Sequence, residues 1–301
     1  MIISRLSGGL GNQMFQAAAG VALARRLNQP LLCDARPLQL DASRNLGLNS
    51  FQFDAPILPH SAELTPSHTA TALPPLKRGS LSFLLWTIRN RSRVLYVREK
   101  ELAYHDVLNR LSSSEPRSIY LHGFWQSQQY FAWCGDEIRR LFSFREKPSM
   151  ENEPARERIR SSKSIAIHVR RGDYVTNPKN RAIYATCSLD YYRRAIAYLV
   201  EQLGQEHVQA FVFSDDPDWV QNNLDIPIPK TVIRHNTDSP VEDLRLMSCC
   251  QHHVLANSTF SWWGAWLAFH PHQLVVAPRV WYHGRPRVDD SIVPPTWVRL
   301  D

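Results

Sequence analysis

His168-Val169-Arg170-Arg171-Gly172-Asp173-Tyr174 sets an imidazole, two guanidiniums and a carboxylate directly behind the apolar run Ile165-Ala166-Ile167. Adjacent guanidiniums imply an anion, because their planar fork of N–H donors matches the oxygens of a carboxylate or a phosphate. Neighbouring side chains on an extended or turning backbone point in different directions. Arg170 and Arg171 are therefore expected to do different jobs, one facing a ligand and one a structural carboxylate. Plain surface salt bridging fits this stretch equally well when it is taken alone. Two other stretches add to it: Asp215 and Asp216 follow the run Ala210-Phe211-Val212-Phe213, and Ser258, Thr259, Phe260 and Ser261 follow Val254-Leu255-Ala256. Carboxylates accept bonds from a ribose or a base amide, whereas hydroxyls and backbone amides at a helix start hold phosphate oxygens. Each also has a plainer reading. Asp216 before Pro217 is where a helix cap belongs, and a Ser/Thr run commonly starts a helix. Taken together, the three stretches resemble a nucleotide-diphosphate pocket.

Such residues need elements that deliver them to one edge. From 164 to 276, apolar runs of strand length alternate with helical patterns. Helices are expected over 188–203, after Pro217, from Pro240 in the capping box Ser239-Pro240-Val241-Glu242, and beginning at Trp262-Trp263-Gly264. Strands are expected near 164–169, 210–213, 231–233, 253–256 and 274–276. This alternation predicts a parallel, doubly wound sheet, whose ligands sit outside the strands' carboxyl ends.

In the N-terminal half, a strand over residues 1–6 runs into the glycine-rich turn Ser7-Gly8-Gly9-Leu10-Gly11-Asn12-Gln13 and then a helix. Glycines there let backbone approach a ligand closely. A dinucleotide fingerprint fails, because Asn12, Gln13 and Met14 follow Gly9-Leu10-Gly11 without the third glycine. A second strand, Leu31-Leu32-Cys33, ends at Asp34, and a third, 118–121, ends in His122-Gly123-Phe124-Trp125-Gln126-Ser127. Aromatics beside amides suit sugar rings and hydroxyls; Phe124 and Trp125 also suit a core. An amphipathic helix with Tyr130, Phe131, Ile138 and Leu141 is expected next. Residues 58–80, rich in Pro, Ser and Thr, read as a long loop and a candidate lid, and 144–163 as the linker between halves.

With 301 residues, 44% hydrophobic and 21% charged, the chain can bury a sizeable core in two domains. A net charge of +7 favours acidic partners such as nucleotide diphosphates or anionic membrane surfaces. The arginines are scattered, so nucleic acid is not the expected partner. Five cysteines without a CxxC pair predict unpaired thiols and a cytoplasmic setting. No apolar run reaches the length of a membrane span, which leaves at most peripheral association with a membrane.

Gly8-Gly9-Leu10-Gly11-Asn12-Gln13, Gly123-Phe124-Trp125-Gln126-Ser127, His168-Val169-Arg170-Arg171-Gly172-Asp173-Tyr174 and Asn257-Ser258-Thr259-Phe260-Ser261-Trp262-Trp263-Gly264-Ala265-Trp266 resemble the motifs of the α-1,2-fucosyltransferase family. The similarity runs from Ile3 to about Pro278. It implies an α/β protein of GT-B type, with two Rossmann-type domains facing a cleft. The expected division is an acceptor-side domain over 1–155, a GDP-fucose-binding domain over 156–280, and a tail over 281–301 that packs back on the first domain. The implied reaction moves L-fucose from GDP-fucose to the 2-hydroxyl of a galactoside with inversion and without a metal, in the synthesis of bacterial surface glycans. By the same resemblance Arg170 meets the donor diphosphate, with His168, Arg171 and Gly11 also on the donor side. Ser258 to Ser261 line the phosphates, Asp215 or Asp216 lies near the guanosine, Asn12 faces the cleft, and Trp125 and Gln126 serve the acceptor.

An inverting transfer needs a group to take the acceptor's proton, and spacing singles none out. Asp173 is the candidate nearest the arginines, although it could equally pair with Arg171; Asp34 is a weaker one. Two alternatives stay open. In one, Asp216 and Asp218 hold Mn²⁺ against a diphosphate. In the other, the tryptophans make a carbohydrate-binding protein without catalysis. The histidines at 252–253 and 270–272 lack the carboxylate or cysteine neighbours of a metal site.

Overall fold

The computed structural model describes residues 1–41, 44–58, 73–236 and 238–301, with the side chains of 173, 174, 179, 180 and 287 left out. The expected lid, 58–80, therefore falls largely outside the described residues. The chain divides into two compact units, Met1–Ser143 and Phe144–Asp301.

The first unit contains β1 (Ile2–Arg5), α1 (Leu10–Leu27), β2 (Leu31–Asp34), β3 (Ile57–Leu58), α2 (Leu81–Asn90), β4 (Val94–Arg98), β5 (Ser118–His122) and α3 (Gly135–Leu141). Its five-stranded sheet runs β3-β2-β1-β5-β4, with every described pair parallel. α1 is buried along most of its length because its small residues Ala17, Ala18, Ala19 and Gly20 let it lie close on the strands. A Cβ on Gly20 would stand 3.0 Å from both Ser4 and Leu31. The amphipathic helix expected around 130–141 forms only as α3, preceded by two 3-10 turns at 128–130 and 132–134. Phe131 and Tyr130 are held by the core instead, Phe131 against Phe15 and Tyr130 against Trp125.

The second unit contains α4 (Glu153–Arg160), β6 (Lys163–Val169), α5 (Gly172–Thr176), α6 (Pro178–Ile183), α7 (Leu189–Leu203), β7 (Val208–Ser214), α8 (Pro217–Asn223), β8 (Lys230–Val232), α9 (Pro240–Cys249), β9 (His252–Val254), α10 (Thr259–Ala268), β10 (Val275–Pro278), α11 (Pro286–Ile292) and β11 (Val298–Leu300). Its sheet runs β11-β10-β9-β6-β7-β8, again parallel throughout. β6 lies in the middle and is apolar on both faces. Ile165, Ile167 and Val169 pack with Tyr191, Ile196 and Leu199 of α7, and Ala166 packs with Ile159 of α4 and Leu246 and Met247 of α9. Two-sided burial is what a central parallel strand requires.

The division falls after Ser143, since α4 packs on β6 and α9; the segment read as a linker is the start of the second unit. Residues 281–301 belong to the second unit, where β11 pairs with β10 and adds an edge strand to its sheet. The predicted capping box at Ser239 forms only in position. Glu242 instead binds Asn152, the Ser149 amide and Arg245, tying α9 to the segment before α4.

Candidate active site

β6 is hydrogen-bonded to β7 on one side and β9 on the other, so Arg170, Asp215 and Asn257-Ser258 leave three adjacent carboxyl ends. The three sequence stretches thus meet at one edge. Arg170 Nη1 lies 2.9 Å from Asp215 Oδ2, and the Arg171 amide donates to Asp215 Oδ1 at 2.9 Å. The Asp215 carboxylate sits against Gly172, where a Cβ would stand 2.4 Å from Oδ2. Only glycine allows this approach, so Asp215 works as a clamp on the turn that presents Arg170.

Arg171 points elsewhere. Its Nε donates to Asp216 Oδ2 at 3.2 Å and its guanidinium lies 3.6 Å from the centre of the Trp219 ring. Asp216 also caps α8, accepting from the Trp219 amide at 3.2 Å. Asp218 pairs with Arg234. Asp216 and Asp218 are thus each engaged in holding helix and loop, and among the described residues no group of three or more His, Cys, Asp or Glu is placed to hold a metal.

At the third strand end Ser258 caps α10, its Oγ accepting from the Phe260 amide at 3.3 Å. Ser261 is not available for a ligand: it is fully buried and donates to the carbonyls of Ala256 and Ser258. Thr259 and Phe260 are half-buried in the helix's first turn. Asn257 is buried and binds the Trp281 carbonyl at 3.0 Å, so it anchors the loop ahead of α11. The loop is also held by Asp289, whose Oδ1 accepts from the Trp281 and Tyr282 amides.

His168 packs against Phe260 with ring centres 5.6 Å apart, and its Nδ1 is buried without a hydrogen-bond partner among the described residues. Burial, followed by the nearby Arg170 charge, lowers its pKa to about 3, so the ring is neutral at physiological pH. The folded value lies below the ordinary 6.5, so the stabilisation is complete above about pH 6.5 and is lost as pH falls toward 3. His168→Phe, which cannot take up a proton, is expected to flatten the acid side of a melting-temperature profile between pH 6.5 and 4. Identical acid slopes in the two proteins would refute it.

In the first unit, Gly8 has φ +75°, a left-handed turn suited to glycine, and Asn12 folds back beneath it. The Gln126 side chain donates to Asn12 Oδ1 at 2.9 Å, joining the glycine-rich motif to the segment after β5. Gly11 is buried in the first turn of α1. Trp125 is fully buried, with backbone φ +54°, and stands edge-on to Tyr130, so it supports Gln126 rather than offering a stacking surface. Asp34 is buried and bound by Arg36 and the Tyr120 hydroxyl. The Asp173 side chain lies outside the described residues.

Two features were not foreseen. Glu99, just past β4, accepts from the Phe124 and Trp125 amides at 2.7 and 3.0 Å and so fixes the strained turn after β5. Burial raises its pKa to about 7 against those two bonds. Beside it, Arg98 is paired in register with His122, which is bonded to the Tyr96 hydroxyl. Burial first, and then Arg5, Arg98 and Arg78, lower the His122 pKa to about 4. A carboxylate two residues beyond the apolar run Val94-Leu95-Tyr96-Val97 was the available signal for Glu99. The grouping of arginines around His122 depends on strand order and had none.

The profile of glycosyl transferase family 11 matches residues 1–301. An α-1,2-colitosyltransferase of Escherichia coli is 30% identical, covering 100% of this chain and 99% of its own. The O-antigen biosynthesis glycosyltransferase WbnK of Escherichia coli is 29% identical over 99% of each chain. Among solved structures, a mutant of Arabidopsis thaliana FUT1 in complex with GDP superposes with a TM-score of 0.53 at 13% identity, over 91% of this chain and 69% of that one. The shared fold is the GT-B class expected from the sequence. With a match along its whole length, the chain belongs to glycosyl transferase family 11, the α-1,2-fucosyltransferase family whose motifs it carries.

Proposed function

We propose that the chain transfers L-fucose from GDP-fucose to the 2-hydroxyl of a galactoside with inversion, in the assembly of a bacterial surface glycan. The observation that carries this reading is the edge where β6, β7 and β9 end, with Arg170 clamped by Asp215 next to the strand that leads into α10. In this reading Arg170 and the first-turn amides of α10 take the diphosphate charge. Asp216, whose side chain is 40% exposed against 24% for that of Asp215, serves the nucleoside, and Asn12 and Gln126 serve the acceptor. Because guanidinium and amides supply the positive charge, no metal is required. The enzyme works on the cytoplasmic side, in keeping with a relative named for O-antigen biosynthesis. Among the described residues no helix is long and apolar enough to cross a membrane.

The identity to a colitosyltransferase favours a second donor, GDP-colitose, whose sugar is fucose without the 3-hydroxyl. Both are tested together. Purified protein is given lactose and a panel of nucleotide sugars, and the product linkage is read by NMR. Transfer from GDP-fucose to O2 of galactose, persisting in excess EDTA, is the expected result. Transfer from UDP-sugars alone would overturn the donor assignment, and loss in EDTA restored by Mn²⁺ would overturn the metal-free one. A site that hydrogen-bonds the 3-hydroxyl discriminates strongly against the deoxy donor, so the ratio of kcat/KM for the two GDP-sugars decides between them.

A further inference from the structure

α2 carries two apolar stripes. Phe83 and Trp86 face inward, with ring centres 5.4 and 6.1 Å from Tyr96 of β4, and Asn90 is buried one turn on. This stripe attaches the helix to the sheet. The second stripe has i, i+3, i+4, i+7 spacing and faces solvent: Leu81, Leu84, Leu85 and Ile88 are 71%, 56%, 57% and 60% exposed. Four large aliphatic side chains in a row are more than a monomeric surface ordinarily leaves uncovered. Their surroundings say what covers them. Lys77 and Arg78 precede the helix and Arg89, Arg91 and Arg93 close it, all exposed, while no Asp or Glu occurs from 64 to 98. A protein partner recognised by the leucines alone would not need this charge. An anionic lipid surface uses both parts: acyl chains take the aliphatic stripe and headgroup phosphates take the Lys and Arg.

We propose that α2 and its basic flanks dock this protein peripherally on an anionic membrane surface, with Leu81, Leu84, Leu85 and Ile88 inserted at the headgroup boundary. This names the surface behind the peripheral association allowed by composition, and it does not depend on which sugar is transferred. The stripe lies on a helix already fixed by its other face, so polar substitutions there leave the unit folded.

The test uses the full chain and flotation with phosphatidylcholine vesicles, with and without phosphatidylglycerol. The protein is expected to float with the phosphatidylglycerol vesicles, to bind neutral ones more weakly, and to come off as salt is raised. Leu84→Gln/Leu85→Gln/Ile88→Gln is expected to lower the partition coefficient at least ~10-fold, and Lys77→Gln/Arg78→Gln/Arg89→Gln to do likewise at low salt. Transfer to soluble lactose remains unchanged in both, which shows that they are folded. Three results would each overturn the proposal: no affinity for anionic vesicles, full affinity in the apolar triple variant, or a solution dimer that the triple variant turns into a monomer. The last would mean that a second copy of this chain covers the face.

Discussion

Arg170→Ala is expected to remain folded and to lose on the order of 10²–10³ in kcat at saturating GDP-fucose. As the bond between sugar and phosphate breaks, negative charge builds on the leaving diphosphate, and a preorganised guanidinium stabilises that charge more in the transition state than in the ground state. The preorganisation is visible. β6 is buried on both faces, the turn after it is pinned by the Arg171 amide on Asp215, and Arg170 is oriented by the same carboxylate at 2.9 Å. Removing the side chain leaves Asp215 its bond from the Arg171 amide and an exposed edge, so stability changes little. Arg170→Lys keeps the charge and loses the planar fork, so little activity returns. Arg171→Ala behaves differently. Its guanidinium lies between Asp216 and the Trp219 face, so its loss lowers the melting temperature and spares more turnover per folded molecule. Near-normal turnover in folded Arg170→Ala would remove Arg170 from the chemistry.

The second unit was legible because its strands are uninterrupted apolar runs of strand length, bounded by residues that start helices. Pro217 after Asp216 marked a helix start that the structure reproduces, whereas the helix expected to begin at Trp262 begins at Thr259, because Ser258 caps it one turn earlier. Arg170 and Arg171 were expected to differ, one facing a ligand and one a structural carboxylate, and neither carboxylate partner was named. In this structure both meet carboxylates, and Asp215 emerges as the clamp because Gly172 leaves room for it. Roles that depend on where a side chain is spent could not be read from residue type. Ser261 looks like Ser258 in the sequence, yet one turn of helix carries it into the core, where it bonds its own backbone. Trp125 looks like a sugar platform, yet a left-handed backbone turns it inward. In the first unit, short strands separated by long irregular segments gave no period. β4 and α2 were therefore missed, and Glu99 with them.

Trp262→Ala is expected to cost the second unit roughly 3–5 kcal/mol, the usual range for removing a large aromatic from a core. α10 is built for burial: Ser261, Trp262, Trp263, Gly264, Ala265 and Trp266 are all buried. Trp262 stands at the centre, fully buried, with ring centres 5.0 Å from Trp263, 6.0 Å from Trp266 and 5.4 Å from Trp297. Its indole N–H donates to the Ile292 carbonyl at 2.7 Å, so one side chain ties α10 to the end of α11 and to the segment before β11. The alanine variant opens a cavity that three rigid rings cannot close, and it also leaves the Ile292 carbonyl without its donor. A fall of about 10 °C in melting temperature follows for a unit of this size. Trp262→Phe keeps most of the apolar contact and loses the hydrogen bond, so its cost is nearer 1 kcal/mol. The consequence for function comes through position. α10 is capped by Ser258, and if its first-turn amides hold the diphosphate, a helix loosened at Trp262 binds GDP less tightly. The alanine variant should then gain less thermal protection from a fixed GDP concentration than the parent does. Thermal unfolding of the parent, Trp262→Phe and Trp262→Ala with and without GDP measures both effects. An alanine variant melting within a degree or two of the parent would show that this cluster does not hold α10 in place.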